Sequence, residues 1–376
     1  MSSFPLTLRE HIKKMRSQHA GWGPGTILSE LKSDVQFLNC DLPSRSTIGQ
    51  FLRQEQLSKS YEPNSSLPVE SCHKAKHCHD LWQIDGQGNA NVAQLGPIAM
   101  LNIKDVHSTV YVSSFPARMK SMQGHPNTSD YQTAMRLGFM HYGLPQRLQS
   151  DHASVFHENK SKSPFPTLFC LWLIGLGIDP CFSRVHQPTD QGRVERAHQT
   201  VFDQVLRGRS DYKNWDHLFE WCEKRRTRLN EAIPSRATDE LPPLVKHPKA
   251  QHSGRFYQPQ LEAQMIDMKK VFAFLAKGKW YRKVASSRTV CLGGQVYYVP
   301  GSKPGQQLEI TFCDRSKCLV FQNDKELVIA QIPLKGITCE LLMGNLEPYA
   351  QYPAFQLEIP FDWEAQKVNT TFSDSN

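Results

Sequence analysis

A chain of 376 residues, 39% hydrophobic and 21% charged, has room for two to four domains and excludes a disordered or fibrous protein. Its formal net charge of +8 favours a polyanionic partner, and its longest apolar run, Leu168 to Ile178, is too short to cross a bilayer. The ten cysteines lie scattered and the N-terminus has no apolar signal core, so the expectation is a soluble cytoplasmic protein with no membrane partner.

Residues 6–18, 26–32 and 45–54 read as three short helices. Their apolar positions recur three and four apart: Leu8, Ile12 and Met15, then Ile27, Leu28 and Leu31, then Ile48, Phe51 and Leu52. Ser44 is the expected N-cap of the third helix. That helix carries Arg45, Ser46, Thr47, Gln50 and Arg53 on its polar side, which suggests a helix-turn-helix DNA-binding domain over 1–57. Arg and Gln reach base edges, and Ser and Thr reach phosphates. A plain three-helix cap or dimerisation unit fits the same pattern. Residues 58–78 form a polar, Pro-containing linker. The cluster Cys72, His73, His77, Cys78 and His79 is too tightly spaced to wrap a tetrahedral ion, so no metal is expected from it.

The next expected domain covers 79–232. Leu81 to Asp85 is a strand, and Ile98–Lys104 pairs with Thr109–Phe115 in an antiparallel hairpin around Asp105, a rival metal ligand that reads better as a turn former. Thr128 to Tyr142 is a helix capped near Asn127 or Thr128 and closed by Gly143. Gln146–Ser150 and Ile178–Ser183 are strands on either side of a buried helix, Phe165–Leu176. The Lys/Ser/Pro stretch 157–167 is either a mobile segment over a bound polymer or a solvated insertion. From Arg193 nothing breaks a helix until Gly208, and Val194, Ala197, Val201 and Val205 form its buried stripe. Asp211–Leu229 is another helix, whose basic end, Lys224 to Arg228, either tracks phosphates or is a solvated helix terminus.

Residues 233–270 read as a connector. Six short alternating runs follow within 271–344, with Gly293-Gly294 as a tight hairpin turn, and they read as a small β-barrel. Lys279 and Arg282, set among aromatics, would face a DNA backbone, unless the barrel only touches neighbouring subunits. The tail, 345–376, is expected to be extended or disordered.

Three acidic residues stand out. Asp85 and Asp151 each sit at the end of a short apolar strand, and Glu195 lies in the first turn of the helix after Gly192, flanked by Arg193, Arg196, His198 and Gln199. Singly they are ordinary: a turn-forming Asp, a solvated Glu. Together, two strand-borne carboxylates and a helix-borne one match what phosphodiester chemistry asks of a pair of divalent cations. Mg²⁺ takes oxygen ligands and keeps positions open for water and phosphate.

The stretches LWQIDGQG, LQSDHASVF and HQPTDQGRVERAHQT resemble the catalytic core of DDE transposases and retroviral integrases, most closely over Leu81 to Asn230. The resemblance implies a multidomain chain: an α/β RNase H-like core with a mixed five-stranded sheet, an all-α helix-turn-helix domain before it and a small all-β barrel of the bacteriophage Mu type after it. It implies Asp85, Asp151 and Glu195 as catalytic and metal-binding residues, with two Mg²⁺ ions and Mn²⁺ as the substitute. The implied activity is that of a transposase, a polynucleotidyl transferase that hydrolyses the 3′ ends of a mobile element and transfers them into target DNA. Its partners would be double-stranded DNA, at the element ends and the target, and further copies of itself, with an ATPase helper left open. Arg193, Arg196, His198 and Gln199 would then lie along the donor strand. Two departures stand against the pattern. His152-Ala153 follows Asp151 where the family often has Asn-Gly, and the interval from Asp151 to Glu195 is long. The alternatives are a catalytically inactive DNA-binding regulator derived from a transposase, and an RNase H-like nuclease that cuts without joining.

Overall fold

The computed structural model describes residues 4–58, 73–159, 161–184, 190, 192–209, 211–344 and 346. Cys72, most of the expected linker, and the expected tail apart from Leu346 lie outside these residues. Three helices come first, α1 (Leu6–Gln18), α2 (Pro24–Ser33) and α3 (Arg45–Gln54). The central part contains β1 (Leu81–Val92), β2 (Gly96–Asp105), β3 (Tyr111–Arg118), α4 (Thr128–Tyr142), β4 (Arg147–Ser150), α5 (Leu168–Gly175), β5 (Asp179–Phe182), α6 (Gly192–Val205) and α7 (Trp215–Glu231). Short helices α8 (Pro243–Lys246) and α9 (Glu262–Met265) precede α10 (Met268–Leu275). The last part holds β6 (Lys279–Lys283), β7 (Thr289–Leu292), β8 (Gln295–Tyr298), β9 (Gln307–Cys313), β10 (Cys318–Gln322), β11 (Val328–Pro333) and α11 (Cys339–Met343).

The central sheet has the order β3-β2-β1-β4-β5. β1, β2 and β3 are antiparallel neighbours, and β4 and β5 run parallel to β1. This mixed sheet with its helices is consistent with an RNase H-like core. β1 runs on through Gly86 and Gly88 to Val92, well past the expected end at Asp85, because β2 pairs along it and absorbs a bulge between Gln87 and Ala90. Pairing with a neighbour thus overrides the weak strand preference of glycine.

Both faces of the sheet are covered. Along β2, Ala99, Leu101 and Ile103 join the core formed with Trp82, Phe139 and Trp172, while Ile98 and Met100 join Val201, Trp215 and Leu218 of α6 and α7. That alternation is the two-residue period of a strand with a packed layer on each side. Trp82, Phe139, Phe169 and Trp172 are essentially fully buried, and each such aliphatic or aromatic side chain contributes about 1.5–3 kcal/mol of transfer free energy. α4 follows its sequence signals: Asn127 and Asp130 form a reciprocal capping box, and Gly143 ends the helix at φ +72°.

The three N-terminal helices surround a core of their own, including Leu8, Ile12, Ile27, Leu31, Ile48 and Phe51. The link from α2 to α3 spans residues 34–44 and contains a 3-10 turn, Val35–Phe37, capped by the Asp34 side chain. It is longer than the three- or four-residue turn of a simple helix-turn-helix. Phe37 is buried within this link, so the extra residues serve packing.

This helical unit rests on α7. Arg225 pairs with Glu30 at 2.9 Å and lies over the Trp22 ring at 4.4 Å, and Ser29 Oγ donates to the Ala232 carbonyl at 3.0 Å. Of the basic run at the end of α7, Arg225 and Arg226 are therefore internal, Arg228 turns to Glu30 at 3.2 Å, and Lys224 is exposed. Arg225 and Arg226 are 1% and 5% exposed, and Arg226 is held by Glu223 and by the Tyr142 hydroxyl, each at 2.7 Å.

All six C-terminal strands form, but the described residues show an open four-stranded sheet, β11-β10-β9-β6, and a separate hairpin, β7-β8, where a closed barrel was expected. Their core is continuous with the central one, with the Trp280 and Phe165 rings 4.8 Å apart. The described part of the stretch 157–167 is pinned against β6. Arg282 pairs with Glu158 at 2.9 Å and donates to Ser161 Oγ and the Ser163 carbonyl at 2.8 and 2.7 Å. Within it Phe165 is buried, whereas Lys162 and Pro164 are exposed. No helix among the described residues is long and apolar enough to cross a membrane.

Candidate active site

Two Gln-x-Asp triplets lay out the site. Gln83 and Gln149 are register partners in the parallel pair β1–β4, and Asp85 and Asp151 each follow two residues later. β4 ends at Ser150, so the strands part just where the carboxylates occur. This is the cleft beyond the carboxyl ends of adjacent parallel strands, where the backbone leaves room for a ligand. The two glutamines are buried and linked, Gln83 Nε2 donating to Gln149 Oε1 at 3.0 Å. Both amides also donate to the Asp190 carbonyl, at 2.8 and 3.2 Å, which fixes the end of the segment leading into α6. The Asp190 carboxylate, itself buried, is gripped by Arg184 at 2.8 Å.

α6 brings the third carboxylate. Val194, Ala197, Val201 and Val205 are buried, which rotates Glu195 outward in the first turn. Three and four residues along, His198 is partly buried and Gln199 is exposed. His198 Nε2 lies 3.0 Å from Asp85 Oδ2, and Asn102 Nδ2 lies 2.7 Å from His198 Nδ1. With the Asn102 amide donating to Nδ1, the ring proton sits on Nε2 and donates to Asp85. Asn102 is fully buried on β2, directly across from Asp85 in the β1–β2 register.

The carboxylates share one electrostatic field. Burial raises Asp151 above the usual carboxylate range, and the Asp85 charge adds to that against the Ala153 amide, which donates to Asp151 at 2.9 Å. Glu195 is raised by burial and by Asp85, while His198 and Arg196 pull the other way. The buried Tyr131 hydroxyl is raised by burial, then by Asp85 and Asp151, which places it at the same cleft. Gly86 makes room for it, since a Cβ there would stand 2.8 Å from the Tyr131 hydroxyl oxygen. A set of oxygen donors with surplus negative charge fits Mg²⁺ or Mn²⁺.

Of the residues singled out from the sequence, His198 bonds to Asp85, and Asp151 and Glu195 are each near enough to feel the Asp85 charge, but the three carboxylates do not come within 4.8 Å of one another as a trio. Arg193 and Arg196 are exposed at the start of α6, with Arg196 Nε bonded back to the Gly192 carbonyl at 3.0 Å. Gln199 turns along the helix to Asp203 at 2.9 Å. On α3, Ser46, Gln50 and Arg53 are exposed, the Thr47 hydroxyl lies 2.8 Å from Ser44 Oγ, and Arg45 pairs with Glu240. Lys279 is exposed and pairs with Glu309 at 2.9 Å, whereas Arg282 is turned inward onto Glu158. Asn102, Tyr131 and the glutamine pair did not stand out in the sequence. The repeated Gln-x-Asp triplet and an Asn inside the apolar run Met100-Leu101-Asn102-Ile103 are signals that could have found them.

No known family model matches the chain. Among solved structures, the HTLV-2 integrase catalytic core domain in complex with magnesium is 14% identical, covering 46% of this chain and 99% of that one at a TM-score of 0.35. A simian T-cell lymphotropic virus intasome in complex with PP2A regulatory subunit B56 gamma is 14% identical, covering 83% and 97% at 0.39. The catalytic core domain of BIV integrase is 17% identical, covering 46% and 95% at 0.30.

Proposed function

We propose that this protein is a DDE-type polynucleotidyl transferase that cleaves the 3′ ends of a mobile DNA element and joins them to target DNA. The supporting observation is that Asp151 and Glu195, both raised first by burial, each also feel the Asp85 charge at the carboxyl end of the parallel strands β1 and β4. Those three carboxylates would hold two Mg²⁺ ions, which supply activation of the attacking oxygen and neutralisation of charge on the leaving one.

The chain's own groups do the positioning. His198 donates to one Asp85 oxygen and so fixes the carboxylate's rotation, and Asn102 fixes the histidine ring in turn. In the first reaction a water oxygen bonds to phosphorus and the element's 3′ oxygen leaves as a hydroxyl. In the second, that hydroxyl bonds to a target phosphorus and displaces the target's 3′ oxygen. Each step exchanges one P–O bond for another, so no Ser or Tyr nucleophile is required.

Arg193 and Arg196, exposed at the start of α6, would contact the donor backbone, and exposed Ser46, Gln50 and Arg53 of α3 would contact the element ends. Arg45 and Lys279 would have to exchange Glu240 and Glu309 for phosphate. Joining two ends needs two such sites, and hence more than one copy of the chain.

The test is a strand-transfer assay with the genomic DNA flanking this gene as donor, plasmid as target, and Mg²⁺ or Mn²⁺. Joined products that vanish in Asp151→Ala support the reading. Hydrolysis without joining or end specificity favours the nuclease, and specific binding without cleavage favours the regulator. Full strand transfer by Glu195→Gln would sink the metal assignment.

A further inference from the structure

The described part of the crowded sequence cluster, 73–79, is pulled apart in the fold. His79 is buried as a core histidine, its Nδ1 accepting from Trp82 Nε1 at 3.1 Å and its Nε2 lying 3.1 Å from the Ala250 carbonyl. His73 Nε2 is 3.0 Å from the Phe182 carbonyl. Cys78 goes elsewhere. It meets His107 from the β2–β3 turn and His247 from just after α8. One ligand atom from each of the three lies within 4.8 Å of the other two, and this is the one such trio of His, Cys, Asp or Glu found among the described residues. The His107 and His247 rings are 5.4 Å apart, edge to face, and no hydrogen bond between described residues uses either imidazole.

We infer that Cys78, His107 and His247 form a site for one zinc ion. Two imidazoles and a thiolate are a borderline-soft donor set that suits Zn²⁺ and does not suit Mg²⁺. Ligands of a tetrahedral zinc at bond lengths of about 2.0–2.3 Å stand roughly 3.3–3.7 Å apart, so side-chain rotations of an ångström or so close the trio, with water in the fourth position. Binding converts the Cys78 thiol to a thiolate and releases its proton to solvent.

A second observation concerns charge. Asp105 is fully buried and is not one of the trio; its carboxylate accepts from the amides of His79 at 2.9 Å and Ser108 at 2.7 Å and from the Ser108 hydroxyl. That carboxylate, bonded to the His79 amide next to Cys78 and two residues before His107, would offset the charge of a cation held there. The ion would tie three separate segments together: the lead into β1, the β2–β3 turn and the segment after α8. It would act as a staple at the start of β1, apart from the carboxylate cleft, and it is independent of the proposed joining activity.

The experiment is metal analysis and Co²⁺ titration of the full-length protein carrying Asp151→Asn and Glu195→Gln, so that the carboxylate cleft does not compete. The expected result is about one zinc retained per chain. Cobalt should give the strong visible bands of a four-coordinate ion and a thiolate-to-metal charge-transfer band. His107→Ala, at an exposed turn, should weaken zinc binding at least roughly tenfold and remove the zinc-dependent rise in thermal midpoint. Cys78→Ser should remove the charge-transfer band. Zinc content or affinity unchanged by His107→Ala, or cobalt spectra without a thiolate band, would overturn the assignment.

Discussion

His198 offers the sharpest test of how the cleft works. Its bond to Asp85 joins side chains that are 12% and 24% exposed, at 3.0 Å. A hydrogen bond to a charged group contributes about 1.5–3 kcal/mol. At about 1.4 kcal/mol per tenfold, its loss corresponds to about a ten- to hundredfold effect. The same range, about 10–100-fold, is typical when the partner that orients a metal ligand is removed. Water can reach the half-open Asp85 and replace part of the bond, so His198→Ala should fall near the lower end, about tenfold. The readouts are Mn²⁺ affinity by calorimetry and the rate of strand joining, with the thermal midpoint as a check on folding. His198→Gln, which keeps a donor, should recover part of the loss. Asn102→Ala should give the same loss through the histidine, together with a stability cost from its buried position. A folded His198→Ala protein with unchanged Mn²⁺ affinity and joining rate would refute the idea that this ring holds Asp85.

Three further outcomes are expected. Glu262 is 1% exposed and receives Arg136 at two 2.7 Å contacts and the Trp172 indole at 2.7 Å, so Glu262→Gln should cost about 3–5 kcal/mol in urea denaturation by stranding a buried guanidinium; a loss under about 1 kcal/mol would contradict that. Asp151, whose folded pKa is raised by burial and then by Asp85, opposes folding once ionised. Any advantage it gives is present below its unfolded pKa and lost as pH rises through the folded one, so Asp151→Asn should raise the metal-free thermal midpoint at neutral pH while abolishing joining. An unchanged or lowered midpoint would count against the shared field. Asp80 behaves oppositely. Burial would raise it, but the Lys76 amide and the Arg147 guanidinium outweigh that and hold it low, so it contributes stability above its unfolded pKa that is lost as pH falls through the folded value. Arg147→Met should flatten the acid side of the stability profile, and an identical profile would contradict the pairing.

Local signals carry far in this chain where they are self-contained. The periodic apolar residues of α1, the Asn127 cap and the Gly143 stop of α4, and the six C-terminal strands are all legible because each depends on neighbours in sequence. What fails depends on distant partners. β1 outruns its apolar stretch because β2 supplies pairing, and α10, which straddles the boundary expected between connector and barrel, forms against α5. Arg225, Arg226 and Arg282 look like a polymer-binding surface until Glu30, Glu223 and Glu158 are seen beside them. For the site, residue types at 85, 151 and 195 suggest a chemistry, but their nearness comes from the Gln83–Gln149 register and the burial of one stripe of α6. Asn102 is legible only as the cross-strand neighbour of Asp85, a relation no single segment contains.

The inward arginines also change what the formal charge of +8 means to a polyanion. Arg136, Arg225 and Arg226 are 0%, 1% and 5% exposed, and each is neutralised where it lies. They cannot displace the sodium or potassium ions condensed on a nucleic acid. The release of those ions, about 0.9 per phosphate neutralised on a duplex, is what makes binding salt-dependent. The slope of affinity against salt should therefore count exposed cations such as Arg53, Arg193 and Arg196, and fall below what the basic composition suggests.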